Sequence, residues 1–473
     1  MTDATQQVVD LYGGAVSLVP GGIRLHDAPK LQSEATDRVV WQAVFGPDAK
    51  REAARWLLWE LGQQTGARPA SIHELYLARG RGECSGFTVP AINVRAMAYD
   101  VARAVFRAAR RGKAGAILLE IARSEVGYTA QRPAEYVSVM IAAALREGYT
   151  SPLFIQGDHC QVNAKKYAQD PEGEVGEVKK LIAEEIAAGF YNIDVDTSTL
   201  VDLSQPTLEE QQRANYERAV EITRFIREHE PEGITVSVGA EIGEVGQKNS
   251  TVEELHAFME GYNRALAEGD GEGIEGISKI SVQTGTSHGG IVLPDGSIAE
   301  VKLDIEALAA LSEVSRTQYG LGGAVQHGAS TLPNTAFGNF PRVETCEIHL
   351  ATNFQNMIYD HPLFPKDLGE RIHAWLDENT QKERKEQDSD AQFYYKTRKK
   401  AIGPFKQELW SLPEDVRHAI AADLEKTFSF LFEQLNVNGT ATLVDRHIHA
   451  PVQHHAALKP VLAVAADDPD AGE

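Results

Sequence analysis

Cysteine is scarce in this sequence, and long apolar runs are missing from it. The three cysteines, Cys84, Cys160 and Cys346, are odd in number and far apart, which argues against a disulfide framework and for a reducing compartment. No window reaches the roughly 18 consecutive apolar residues that a membrane-spanning helix needs. The polar, acidic segment 1–10 does not resemble a secretory signal. We therefore expect a cytoplasmic protein that does not associate with membranes.

Basic residues are also in deficit. Lysine and arginine number 46 against 68 aspartate and glutamate residues, which gives a net charge of −22. A surface of this sign repels phosphate backbones, so we expect no binding to nucleic acid. The exception is the basic segment 396–400, KTRKK. We interpret it as a solvated helix face, with a phosphate or partner contact as the alternative.

From Gly86 onward, short apolar runs alternate with longer amphipathic stretches. The runs predict strands at 87–94, 115–121, 152–158, 191–196, 234–241, 277–283, 322–327 and 346–351. The stretches between them predict helices at 97–112, 132–147, 173–188, 207–229, 252–268 and 303–315. Eight strand–helix units predict an α/β fold, a closed (β/α)₈ TIM barrel. An open doubly wound sheet is the alternative, but its glycine fingerprint is missing after the first strand.

The barrel pattern occupies only the middle of the chain. We predict an N-terminal extension at 1–80, the barrel at 81–360, a helical C-terminal extension at 361–455 and a flexible tail at 456–473. Four histidines lie near the end of the chain, at His447, His449, His454 and His455. We interpret them as part of a flexible, exposed arm, with metal binding as the alternative.

Histidines follow three of the predicted strands. Asp158 and His159 end the third strand, His288 follows the sixth, and His327 ends the seventh. Reactive side chains of a barrel lie at the carboxyl ends of its strands, so we expect these residues to converge. Three imidazoles leave an open position on Zn²⁺, through which the ion can polarise a carbonyl. The sequence therefore predicts a catalytic zinc site.

The residues that follow two of these histidines suit an anion. Gly289 and Gly328 allow backbone N–H groups to approach a ligand, and Ser330 adds a hydroxyl donor. We expect a phosphate cradle here; the alternative is that the glycines only make the loops flexible.

Seven motifs in this order resemble the class II, metal-dependent fructose-bisphosphate and tagatose-bisphosphate aldolase family over residues 86–358. They are FTVPAINV (87–94), GDHC (157–160), IDVDTS (193–198), AEIGEVG (240–246), TSHGG (286–290), QHGAS (326–330) and IHLAT (348–352). The resemblance implies a substrate-binding asparagine at Asn93 and a threonine at Thr352 that helps to hold the ketose phosphate. It also implies a homo-oligomer, a dimer or larger.

The resemblance implies a reaction as well. A zinc-dependent aldolase would cleave a ketose phosphate or bisphosphate, such as fructose 1,6-bisphosphate, reversibly to dihydroxyacetone phosphate and an aldehyde. Asp158 would be the catalytic acid/base. Glu244 is our candidate for protonating the enediolate, and Glu241 for a ligand of the zinc or of an additional cation.

The sequence departs from the family pattern in several places, among them Thr331, where a glycine commonly follows the serine, and the loop at 244–249, which lacks a consecutive acidic pair. His349 stands where the family usually has asparagine, and residues 120–122, EIA, lack the usual second-strand serine. Our hypothesis is that His349 contacts an unusual head group of the substrate, and that His349→Asn changes substrate preference.

Three other functions stay open from the sequence alone. Lys279, within the sixth strand, would form a Schiff base with a carbonyl if burial lowered its pKa. The chain would also fit a non-catalytic barrel subunit of an aldolase complex, because a fold does not guarantee activity. A metal-dependent hydrolase is the third alternative, because an open zinc site can activate water.

Overall fold

The computed structural model describes residues 3–243, 248–268, 273–285, 293 and 303–455. The chain begins with helices and short strands that precede the main sheet. They are α1 (Asp3–Val9), β1 (Val16–Val19), β2 (Gly22–Leu25), α2 (Glu34–Phe45), α3 (Asp48–Thr65), β3 (Pro69–Ala70) and α4 (His73–Gly80). Strands β1 and β2 form an antiparallel hairpin, which the sequence pattern did not predict.

Eight parallel strands close into a barrel, which confirms the predicted (β/α)₈ fold. They are β4 (Val89–Asn93), β5 (Leu118–Ala122), β6 (Leu153–Gln161), β7 (Asn192–Asp196), β8 (Ser237–Glu241), β9 (Lys279–Val282), β10 (Ala324–Gln326) and β11 (Glu347–Leu350). Each strand pairs with the next along the chain, and the pairing of β11 with β4 closes the ring. Short β3 adds to β6 outside this ring.

Helices follow the strands and cover the barrel. They are α5 (Ala98–Gly112), α6 (Arg123–Tyr128), α7 (Pro133–Glu147), α8 (Ala164–Tyr167), α9 (Pro171–Ala188), α10 (Leu208–His229), α11 (Val252–Ala267), α12 (Ile305–Tyr319) and α13 (Thr352–Tyr359). Helices α7, α9 and α12 end at Gly148, Gly189 and Gly320, whose φ angles of 64°, 110° and 70° are left-handed. Glycine adopts this conformation without a steric penalty, so each helix stops and the chain turns back to the next strand.

The chain continues after the barrel as further helices. They are α14 (Lys366–Asn379), α15 (Asp390–Thr397), α16 (Lys406–Trp410), α17 (Glu414–Gln434) and α18 (Ala441–His447). Helix α17 packs against α5 and places Phe428 4.8 Å from Phe354, between ring centroids. None of the helices within the described residues combines the length and the apolarity that a membrane crossing requires.

The last described residues, 450–455, form a strap against α3. Trp59 Nε1 donates a hydrogen bond of 2.7 Å to the carbonyl oxygen of Gln453. Nδ1 of His454 lies 2.7 Å from Oε2 of Glu60, and the ring of His455 stacks on Trp59 with centroids 3.9 Å apart.

These contacts correct the interpretation of this segment. The segment 450–455 is packed against α3, which supplies hydrogen-bond partners and an aromatic surface, so the expectation of a flexible arm is wrong there, whereas the expected exposure holds for Val452 and His454. The strap lies at the amino end of the barrel, where the Tyr191 hydroxyl, just before β7, is 2.6 Å from Oε1 of Gln453. The predicted flexible tail at 456–473 lies outside the described residues.

Candidate active site

A cavity of about 580 Å³ opens at the carboxyl end of the barrel. It is the position at which barrel enzymes carry their reactive groups, since the βα loops meet there. The cavity is lined by Arg95, Glu120, Ala122, Ser124, Glu125, Tyr128, Asp158, His159, Gln161, Asp196, Ser198, Thr199, Glu241, His327, Gly328, Ser330, His349, Ala351, Thr352 and Lys399.

A bulge in β6 brings two neighbouring side chains into this cavity. Successive side chains of a regular strand point to opposite faces, so Asp158 and His159 would normally diverge. Here the register between β6 and β7 shifts between Gly157 and Cys160, and His159 has a left-handed φ of 41°. Bulges re-aim side chains next to functional sites. Both Asp158 and His159 line the cavity as a result.

Imidazole and carboxylate groups cluster at this wall of the cavity. The rings of His159 and His327 have centroids 4.3 Å apart. Nδ1 of His159 lies 3.1 Å from Oδ2 of Asp196 and 3.8 Å from Oε2 of Glu241. Nε2 of His327 lies 3.0 Å from Oγ of Ser281.

Two groups within this cluster have the composition of metal sites. One ligand atom each from Asp158, His159 and His327 lies within 4.8 Å of the others, and the same holds for His159, Asp196 and Glu241. Imidazole nitrogen and carboxylate oxygen are ligands that Zn²⁺ accepts in proteins. The two imidazoles of the first group therefore fit the predicted ion, with the Asp158 carboxylate beside them, and the second group fits an additional cation.

The ionisation of these side chains reflects an excess of carboxylates. Burial acts to lower the pKa of His159, but Asp158 and the hydrogen bond with Asp196 outweigh it and raise the value to about 10. Burial, reinforced by Asp196, raises the pKa of Glu241 to about 8. Burial and the charge of Asp158 raise the pKa of Glu120 to about 7. Such a cluster attracts a positive charge, whether a proton or a metal ion.

Two cationic side chains line another part of the same cavity. Arg95, which follows β4, pairs with Glu125 at 2.5 Å. Lys399 comes from the turn at Arg398–Ala401, beyond the barrel, and its Nζ lies 5.8 Å from the ring centroid of Tyr128. Burial and the charge of Arg95 lower the pKa of Lys399 to about 8. The interpretation of segment 396–400 as a solvated face is therefore wrong at this residue.

Most of the site residues proposed from the sequence meet in the cavity. Those that line it are Asp158, His159, Glu241, His327, Gly328, Ser330, His349 and Thr352. Asn93 lies one layer further out, where its Nδ2 donates to Oε2 of Glu125 at 2.6 Å and its Oδ1 accepts from Nε of Arg95 at 3.0 Å. His288, Gly289 and Glu244 lie outside the described residues.

Lys279 does not have the environment that a Schiff base requires. Its Nζ lies 2.8 Å from Oδ1 of Asp194, 2.6 Å from Oε1 of Glu347 and 2.7 Å from Oε1 of Gln156. Burial acts to lower the pKa of Lys279, but the two carboxylates outweigh it and hold the pKa above its usual value. A nucleophilic lysine must lose its proton near neutral pH, and this one is stabilised as the cation.

Arg95, Glu120 and Lys399 are among the residues of the site that sequence reasoning missed. Glu120 carried a signal, because it is a charged residue within an apolar strand, and such a residue is buried only when it has partners. Lys399 lies in the basic segment 396–400, for which a phosphate or partner contact was the alternative interpretation. Its position in the lining of the cavity is consistent with a phosphate contact. Arg95 carried no signal beyond its position after a strand.

Comparison with known proteins identifies the family of this chain. The family profile described as "Fructose-bisphosphate aldolase class-II" matches residues 81–408. That span covers the barrel, Arg95 and Lys399. No curated protein matches this sequence significantly.

Solved structures resemble this chain at low sequence identity. The fructuronate-tagaturonate epimerase UxaE from Cohnella laeviribosi superposes with a TM-score of 0.54 at 12% identity, over 81% of this chain and 86% of that one. The YdjI aldolase from Escherichia coli K12 gives 0.47 at 14% identity, over 79% and 99%. The fructose-bisphosphate aldolase from Campylobacter jejuni gives 0.46 at 16% identity, over 76% and 93%.

Proposed function

Because this chain belongs to the class-II fructose-bisphosphate aldolase family, we propose that it catalyses a reversible, zinc-dependent aldol cleavage. The substrate is a ketose phosphate or bisphosphate, and the products are dihydroxyacetone phosphate and an aldehyde. The observation that supports this most directly is that Asp158, His159 and His327 meet at the carboxyl end of the barrel. The same cavity is lined by the cationic side chains of Arg95 and Lys399.

His159 and His327 would hold the zinc ion together with His288, and Glu241 would assist there or hold an additional cation. When bound, the ion supplies a Lewis acid that polarises the substrate carbonyl and offsets the negative charge that develops during cleavage. The excess of carboxylates around His159 supports this assignment, since it favours a cation at the site.

Asp158 would move the proton of the reaction. In the cleavage direction, its carboxylate accepts the proton of the hydroxyl group on the carbon that becomes the aldehyde. In the synthetic direction, the same carboxyl group returns that proton. Glu244 remains our proposal for the group that delivers a proton to the carbon of the departing ketone.

Other residues would bind and orient the substrate. Gly328 has a left-handed φ of 68°, so its loop turns sharply where Ser330 lines the cavity. We assign Gly328, Ser330 and Thr352, with Gly289, to one phosphate group of the substrate. Arg95 and Lys399 would hold the other anionic end, and Asn93 would orient Arg95 through the hydrogen bond of 3.0 Å.

The test is cleavage of a panel of ketose phosphates and bisphosphates by zinc-loaded protein, with release of dihydroxyacetone phosphate followed over time. Release together with an equal amount of aldehyde supports the proposal. If no ketose in the panel is cleaved, the non-catalytic subunit becomes the better interpretation. Release of inorganic phosphate alone would instead indicate the hydrolase.

A further inference from the structure

One imidazole of the cavity wall, in the eighth barrel strand, lies among four carboxylates. Nδ1 of His349 is 3.0 Å from Oε2 of Glu120 and 3.1 Å from Oδ1 of Asp158. Its Nε2 is 2.8 Å from Oε1 of Glu347 and 3.6 Å from Oδ2 of Asp194. Both ring nitrogens therefore lie within ion-pair distance of carboxylate oxygens, which attract the ring in its protonated form.

Further contacts fix the far side of this ring. Nε2 of Gln156 donates to Oε2 of Glu120 at 3.0 Å and to Oε1 of Glu347 at 2.9 Å. Lys279 pairs with Glu347 at 2.6 Å. Because Glu120, Gln156, Lys279 and Glu347 are all fully buried, solvent does not compete for these contacts, and the frame behind His349 is rigid.

We propose that Glu120 and His349 are positioning residues for Asp158. Glu120 orients the imidazole, and the imidazole fixes Oδ1 of Asp158, which leaves Oδ2 to exchange a proton with the substrate. This inference rests on the proposed function, in which Asp158 is the acid/base. A carboxylate that is misplaced by about 1 Å can lose about 100-fold in rate, so the pair acts on the rate of the chemical step.

The alternative role for Glu120 and His349 is purely structural, in a network that only neutralises charge in the barrel floor. A structural role predicts that removing either partner destabilises the fold and affects catalysis independently of Asp158. A positioning role predicts that the effect on catalysis disappears once Asp158 can no longer transfer a proton, because residues that act as a unit are not additive.

The experiment is a double-mutant cycle in the full chain loaded with zinc. Glu120→Gln and His349→Gln should each lower kcat about 10- to 100-fold with little change in KM. Added to Asp158→Asn, each should change kcat less than about twofold. The matched control is Asp100→Asn, a buried carboxylate on α5 that pairs with Arg417 and does not contact His349; its effect on kcat should combine additively with Asp158→Asn. Additive effects of Glu120→Gln and His349→Gln would overturn the proposal.

Two further readouts separate this inference from the proposed function. In ¹⁵N-histidine spectra, the ring signals of His349, assigned from their loss in His349→Gln, should shift in Asp158→Asn and Glu120→Gln. Unchanged signals in folded protein would overturn the proposal even if no ketose is cleaved. Zinc content should be the same in Glu120→Gln and in the unmodified protein, and loss of a bound ion would overturn the proposal by making Glu120 a metal ligand. If Glu120→Gln does not fold, the same measurements are made on His349→Gln and Glu120→Asp, alone and combined with Asp158→Asn.

Discussion

At the scale of single residues, the bulge at His159 decides what Asp158 can do. It places a carboxylate and an imidazole side by side in one cavity, although they are neighbours in a strand. The proposed division of labour is that His159 binds the metal and Asp158 moves the proton.

Asp158→Asn tests this division. The amide cannot accept the hydroxyl proton, so kcat for cleavage should fall about 10²- to 10⁴-fold. His159 and His327 are unchanged, so zinc content, measured by plasma emission spectrometry, should stay the same. Full activity in the variant, or loss of zinc together with activity, would contradict the assigned roles.

Lys399 gives a prediction about pH. Its pKa of about 8 means that the side chain is charged at pH 7 and loses its proton as the pH rises through 8. KM for an anionic ketose should therefore rise between pH 7 and pH 9. In Lys399→Arg this rise should vanish, because a guanidinium keeps its proton above pH 12.

The matched control for this prediction is Lys396, which is 41% exposed and pairs with Asp388 at 2.7 Å. Lys399→Met should raise KM about tenfold or more at pH 7, the effect of one lost charge-assisted hydrogen bond. Lys396→Met should leave KM unchanged. Equal effects of the two substitutions would show that Lys399 does not contact the substrate.

The sequence predicted these residues unevenly, for physical reasons. Asp158, His159 and His327 could be found because they lie at or near the carboxyl ends of strands, and these ends meet at one face of a barrel. Lys399 could not be found in this way, because its place in the cavity depends on how the segment after the barrel folds back onto the barrel. His349 was assigned to a substrate head group; its surroundings favour support of Asp158, and His349→Asn distinguishes the two by substrate preference.

At the scale of elements, the strap at 450–455 packs the last described residues against α3, which precedes the barrel in the sequence. Glu60 on α3 is 1% exposed, and its carboxylate accepts from the backbone N–H of His455 at 3.0 Å and lies 2.7 Å from Nδ1 of His454. A buried carboxylate that loses such partners becomes strongly unfavourable. The strap therefore stabilises α3 as well as itself.

Glu60→Gln tests the strap. The amide group keeps one acceptor oxygen but lacks the charge and the second oxygen of the carboxylate, which should lower the free energy of unfolding by about 1–3 kcal/mol. Thermal unfolding measures the change, and Val452→Ala, in the same segment and 50% exposed, is the control. Activity at the permissive temperature should not change, because the strap lies at the opposite end of the barrel from the cavity. A loss of stability in Val452→Ala equal to that in Glu60→Gln would contradict this account.

The elements themselves followed from local sequence patterns. All eight barrel strands lie within or overlap the predicted runs, because buried parallel strands are apolar on both faces. The hairpin of β1 and β2 and the short strand β3 were missed, since they lie outside the alternation of apolar runs and amphipathic stretches that identified the barrel strands. The strap was misinterpreted because its stability comes from Trp59 and Glu60, almost 400 residues away.

At the scale of the whole molecule, the chain has a net charge of −22, although its proposed substrate is an anion. The cations Arg95 and Lys399 and the proposed zinc ion would provide the local attraction that the surface does not. The segment after the barrel is part of this arrangement, because it supplies Lys399. Assembly into a homo-oligomer stays a prediction from the family resemblance, which sedimentation analysis tests.

The most direct test of the central claim is to strip the protein with a chelator and to follow ketose cleavage as zinc is added back. Our account predicts that cleavage is abolished by chelation and rises in proportion to bound zinc until the site is filled. Cleavage that persists in zinc-free protein, with borohydride trapping substrate on Lys279, would contradict it.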